Sequence, residues 1–231
     1  MTTHLESSSE RAGGTLDRGL LTLVTVILAI WLAAAVVLAA TGAFAGSPTQ
    51  PPLGILLAVV LPPLLFATLY RVSGRFQDFA LAIDLRWLTA IQAWRVIGVM
   101  FLAFYAFGLL PGLFAWPAGL GDAAVGLAAP FVLMAMLRDA PTWPRRLFWL
   151  NIAGLIDFAD ALGTGVLTSN SAIGFLADGL PHANVGELPL SLVPTFAVPL
   201  WIIFHIISLL QLRRIARADI WRRQKRSTSP Q

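Results

Sequence analysis

The chain contains no cysteine, which excludes disulfides, thiolate metal sites and cysteine nucleophiles. Charge is scarce as well, with 12% of residues charged against ~25% in soluble domains. Histidine occurs three times, at His4, His182 and His205. No HExxH, GxSxG or glycine-rich phosphate loop occurs, so the common metalloprotease, serine-hydrolase and nucleotide chemistries have no motif to rest on. There is no repeat of solenoid length and no inverted-repeat symmetry. What fills the chain instead is apolar: 57% of its 231 residues are hydrophobic and the mean hydropathy is +0.76. A small soluble domain lacks the volume to bury that much apolar surface. The composition therefore belongs to the membrane class, and the expected fold is an all-α polytopic transmembrane bundle.

Residues 1–18 are polar and without hydrophobic periodicity, and are expected to form a disordered tail. Six apolar spans follow, at about 20–40, 53–70, 87–110, 122–137, 147–169 and 189–212, so the membrane domain is expected over 19–212. Arg11 and Arg18 before the first span, and Ala43-Phe44-Ala45 after it, resemble a secretory signal. A signal core is only ~7–15 residues, however, so the longer first span reads as an uncleaved helix. Pro62-Pro63 lies within the second span, where the missing backbone donor predicts a kink. Between spans two and three, Phe76, Phe79, Ala80, Ile83 and Trp87 recur at helical spacing, as in an amphipathic segment at the membrane surface. The stretch 111–121 is rich in Pro and Gly and is expected to be a compact or partly re-entrant loop, after which Asp122 opens the fourth helix as its N-cap. A long linker, 170–188, carries Asp178, His182 and Glu187; the chain then ends in a basic tail, 213–231.

Arginine and lysine partition sharply. Fifteen of the sixteen fall in the N-terminal tail, 71–86, 138–146 and the C-terminal tail, and none in the other three connections. Positive charge stays cytoplasmic, so both termini are expected in the cytoplasm of a cell whose plasma or inner membrane holds the protein. The net charge of +4 is thus a topology signal and implies no nucleic-acid partner. The basic tail is suited to anionic lipid headgroups.

The sixteenth cation, Arg95, lies inside span three. Arg95 follows Trp87 by eight residues and Asp157 follows Trp149 by eight, while His205 precedes Arg213 by eight. If the tryptophans mark the interface, a cation, a carboxylate and an imidazole share one level, ~12 Å deep at 1.5 Å per residue. Gln92 lies one turn from Arg95, and Asp160 one turn from Asp157. Carboxylates at this depth are expensive and mark functional or pairing sites. Ala153, Asp157, Ala161, Thr164 and Thr168 form a stripe of small and polar residues expected to face the bundle, with Phe158 away from it.

Several readings remain open. In the first, the chain handles protons, ions or a small solute, as a transporter or transporter subunit and as an oligomer, since six helices are few for a complete transporter. Two aspartates one turn apart cannot both ionise cheaply. With Asp157 neutralised by Arg95, Asp160 is the expected working carboxylate, with Gln92 and His205 near it and Asp122 and His182 as candidates on the outer side. In the second, the chain is an intramembrane enzyme on a lipid or isoprenoid substrate. Asp157-Phe158-Ala159-Asp160 resembles, over four residues, the DxxD element of membrane prenyltransferases, which hold diphosphate through Mg²⁺; the second acidic motif those enzymes need is absent. In the third, Arg95 snorkels or pairs only to fix packing. No cofactor or metal is expected, and the enzyme reading is the weaker one. Reporter fusions after Gly46, Gly119 and Asn184 test the six-span topology, and all three are expected to score as external.

Overall fold

The computed structural model describes residues 18–177 and 185–227. The N-terminal tail before residue 18, together with Asp178 and His182, lies outside the described residues. Among them the chain is all-helical, and six helices are long and apolar enough to cross a membrane. This is the architecture expected of a polytopic membrane protein.

In chain order, α1 spans Arg18–Ala40, α2 Leu53–Val72, and a short helix α3 Gly74–Ala82. The third span is composite: α4 Leu85–Ala90, a 3₁₀ segment Ile91–Val99 and α5 Met100–Ala106. Then come α6 Gly112–Leu137, α7 Trp143–Leu167, a π-helical turn Val193–Ala197, and α8 Val198–Ser227. Three of these helices, α1, α5 and α6, end in the same way. A residue with positive φ (Gly42, Gly108, Asp139) lets the chain turn back, and the next amide closes onto the carbonyl five residues earlier. This arrangement satisfies carbonyls that a helix end would otherwise leave bare. The basic C-terminal segment continues α8 as helix.

The fourth span departs from the sequence expectation. The Pro/Gly-rich stretch 111–121 is not a loop, because α6 already starts at Gly112, capped from Pro111. Asp122 is consequently no N-cap: it sits midway along a 26-residue helix. The physical reason lies in how helices associate in lipid. Without a hydrophobic drive between them, they pack through small residues, so Gly and Ala mark an interface as readily as a turn. Ala115, Ala118, Gly119, Gly126 and Ala129 are all buried on α6. Its most extensive contacts are with the 3₁₀ segment and α7. A Cβ on Gly126 would strike the backbone of Val96, and one on Gly119 would come within 3.2 Å of the Gly98 carbonyl. The true connection between spans three and four is 107–111, so the second topology reporter belongs at Gly108, not after Gly119.

At one end of the bundle, the Ala172 amide donates to the Gln50 carbonyl at 3.2 Å, joining the 41–52 connection to the one after α7. At the other end, Gln211 Nε2 donates to the Ile83 carbonyl at 2.9 Å. Helix α1 is peripheral. It is tied to the bundle by Trp31, whose Nε1 donates to the Thr195 carbonyl in the π-helical turn and whose ring lies 4.8 Å from that of Phe196.

Replacing Gly126 with Ala should lower the thermal midpoint in detergent micelles, at an overpacking cost of ~1–3 kcal/mol. Gly163→Ala, where nothing lies within 4 Å, should leave it unchanged or raise it. Equal effects at both positions would show that the close helix approach does not matter.

Candidate functional site

The 3₁₀ segment determines how the third span presents its polar residues. With three residues per turn, positions i and i+3 eclipse. Its three buried residues are Gln92, Arg95 and Gly98, a single row turned into the bundle. Such a run is unusually long for 3₁₀ geometry, which inside a helix marks a hinge or a sequence under strain.

Arg95 sits in the middle of that row and engages three other spans. Its Nε donates to Asp122 Oδ1 on α6 at 2.7 Å, and its Nη2 pairs with Asp157 Oδ2 on α7. Nη1 lies 3.2 Å from His205 Nε2 on α8 and 3.5 Å from the Gly154 carbonyl. One face of the guanidinium lies over the Phe158 ring, 3.9 Å from its centroid, a cation–π contact. Every nitrogen of Arg95 is therefore directed at protein.

The network continues behind the arginine. Because Arg95 can only donate, His205 Nε2 must accept, so the proton of the neutral ring lies on Nδ1. That Nδ1 donates to Asn151 Oδ1 at 2.8 Å, while Asn151 Nδ2 donates to the Leu147 carbonyl at 2.8 Å. His205 and Asn151 are 0% and 1% exposed, so these bonds form where no bulk water competes. Three glycines make room. A Cβ on Gly98 would strike Asp122, one on Gly121 would strike Asp157, and one on Gly154 would strike His205 and crowd Arg95.

The bonds to Arg95 use one oxygen of each carboxylate. Asp122 Oδ2 and Asp157 Oδ1 have no hydrogen-bond partner among the described residues. Both aspartates line a cavity of about 440 Å³, within the usual range for small-molecule sites. The cavity runs to the connections 41–52 and 168–177, past walls that include Phe101, Phe114, Phe158, Leu162, Val193 and Val198.

The matched depths in the sequence correspond to real contacts, since Arg95, Asp157 and His205 touch. Four expectations need correction. Asp122, expected to cap a helix on the outer side, is the second carboxylate of the cluster. Asp160 is exposed on α7, away from the cluster, and engages Thr164 only through its carbonyl. Gln92 is buried, yet neither atom of its amide finds a partner among the described residues, so it does not join the network; such a group costs ~1–3 kcal/mol. Phe158, expected to face away, is buried against Arg95. The buried stripe of α7 is Leu147, Leu150, Asn151, Gly154, Asp157 and Phe158. It is rotated from the expected stripe, sharing Asp157 and leaving Ala153 exposed. Asn151 was missed, although its spacing of one turn before Gly154 and two before Asp157 would have placed it on that face.

Residues 52–213 match the model of a family described as a domain of unknown function (DUF8737). No curated protein and no solved structure matches the chain. The matched stretch holds the whole Arg95 network and leaves out α1.

Arg95→Met would strand two carboxylates in the bundle and should cost ~3–5 kcal/mol in chemical denaturation in micelles. Adding Asp122→Asn and Asp157→Asn to that variant should recover much of the loss. Asp160→Asn, on the exposed face, should stay within ~0.5 kcal/mol of wild type.

Proposed function

The chain belongs to the DUF8737 family, and we propose from the geometry of its site that it is a multi-pass membrane protein that handles protons or a small solute. Its working groups are Asp122 and Asp157, with Arg95 as their shared countercharge. The supporting observation is that one guanidinium serves two carboxylates at the floor of a cavity, leaving each an oxygen to spare. When both carboxylates are ionised, the cluster carries one negative charge in excess. In a low-dielectric interior such an excess favours the arrival of a proton or a cation.

The arginine partition supports both termini in the cytoplasm of a plasma or inner membrane. In that orientation the cavity reaches toward the outer face. The C-terminal extension would rest among anionic headgroups, and the small number of helices favours an oligomer or a larger complex.

The enzyme reading draws less support. Asp157 and Asp160 would have to grip one metal–diphosphate together, but Asp157 is buried and Asp160 exposed. A purely structural cluster differs from a proton-handling one in a measurable way. A pH-difference infrared spectrum of the purified protein should show a buried carboxyl band that is lost in both Asp122→Asn and Asp157→Asn. A spectrum that neither substitution alters, across the range where the protein stays folded, would mean a fixed ion cluster and a packing role.

A further inference from the structure

The walls and floor of the cavity differ so much in character that they specify a class of ligand. We propose that the cavity binds an organic monocation with an apolar body, such as a lipophilic amine, and that this cation and a proton exclude one another at Asp122 and Asp157. The inference rests on the functional reading above and names the solute for the same site.

The charge argument comes first. Each nitrogen of Arg95 already has a partner, among Asp122, Asp157, His205 and Gly154, so at most one of its five N–H groups is left for an anion. What the cavity meets instead is the pair Asp122 and Asp157, carboxylates that only accept hydrogen bonds when ionised. Asp157 is 9% exposed and lines the cavity, with its Oδ1 packed beside Gly121 of α6. An anion there would meet two carboxylates, and a neutral apolar molecule would leave both unanswered. An ammonium donates to them and cancels the excess charge.

The walls exclude a small hydrated ion as the best fit. Phe101, Phe114, Phe158, Leu162, Val193 and Val198 line a space far larger than one metal ion requires. These side chains supply no oxygen ligands of the kind hard cations need. They suit a hydrocarbon or aromatic body, and aromatic rings near a carboxylate pair suit an ammonium headgroup. The polar side chains nearest the loops are partly spent already: Thr168 Oγ1 donates to the Thr164 carbonyl and Ser169 Oγ to the Val166 carbonyl.

Exclusion follows from the charge count. The titratable and charged groups at the cluster are Arg95 on the 3₁₀ segment, Asp122 on α6, Asp157 on α7 and His205 on α8, with Asp160 exposed one turn along α7. With Arg95 charged and His205 neutral, one added positive charge makes the cluster neutral. That charge is either a proton on a carboxyl or the headgroup of the ligand. Binding the ammonium to a protonated cluster therefore expels the proton, which is the minimum requirement for coupling the two.

The test compares three probes with one apolar body: 1-adamantylamine, 1-adamantanol and adamantane-1-carboxylate. Calorimetry in micelles, with protein-free micelles as blank, should show the ammonium binding at least about tenfold tighter than the alcohol, with no binding of the carboxylate. The affinity of the ammonium should fall on acidification, with proton release. Asp122→Asn keeps the Arg95–Asp157 pair and should bring the ammonium down to the level of the alcohol. If that variant loses its fold, Ala161→Phe, which fills the cavity wall, should abolish binding of both. Equal binding of amine and alcohol, or preference for the carboxylate, overturns the inference. A proton-sensitive carboxyl band with no ammonium preference would uphold proton handling and overturn only the solute class. Ammonium preference without such a band would overturn proton handling and the exclusion, and keep only the binding of the monocation.

Discussion

A guanidinium held at mid-bundle sets the terms for everything near it. A charge there is expensive in a membrane and survives only with partners. Arg95 therefore draws a carboxylate from α6, another from α7, and an imidazole from α8. Four spans are tied to one side chain, which leaves little freedom in their relative register. His205 and Asn151 extend the tie to the backbone of α7, so the position of the arginine is fixed from behind as well as in front.

Close approach is the second constraint, and it serves the first. Side chains as short as Asp reach Arg95 only if the helices nearly touch, and Gly98, Gly121, Gly126 and Gly154 let them. The 3₁₀ segment contributes by aligning Arg95 with Gly98, so that the cation and the space for Asp122 fall in one row. The outward faces of the spans remain apolar, as lipid requires: Leu57, Leu64, Ile97, Phe131 and Ile156 are all exposed. The interior is itself largely apolar, with the Arg95 cluster set among hydrophobic packing.

Function would follow from an imbalance in this network. One cation for two carboxylates is an unsatisfied arrangement unless a proton or ligand completes it, and the carboxylates meet a cavity where either could arrive. An apolar cavity that meets two carboxylates would select for charge and for hydrocarbon together. Neither feature alone would do so: a dry carboxylate pair would be packing, and an apolar cavity without charge would hold lipid.

The sequence by itself determined the solvent and the span count. Apolar runs of membrane length are a local property, and the loops carry their arginines whatever the helices do. It also put Arg95, Asp157 and His205 near one level, each eight residues from an interface marker, Trp87, Trp149 or Arg213; that the stretch holding Arg95 is 3₁₀, with a steeper rise per residue, was not legible. Rotation about the helix axis was another matter. Asp157 and Asp160 are one turn apart and equally polar, and only packing could decide that the first faces Arg95 and the second faces outward. The same holds for Phe158, whose ring looked lipid-facing until the arginine lay on it. Asp122 shows the limit most clearly. Gly and Pro upstream of it read as a turn in isolation; in the bundle they are helix, and the glycines lie where α6 comes close to its neighbours, Gly112 to Tyr105, Gly119 to Gly98 and Leu102, and Gly121 to Asp157. Which residues are small is written in the chain; which helix they approach, and hence which charges meet, is a property of the assembled bundle.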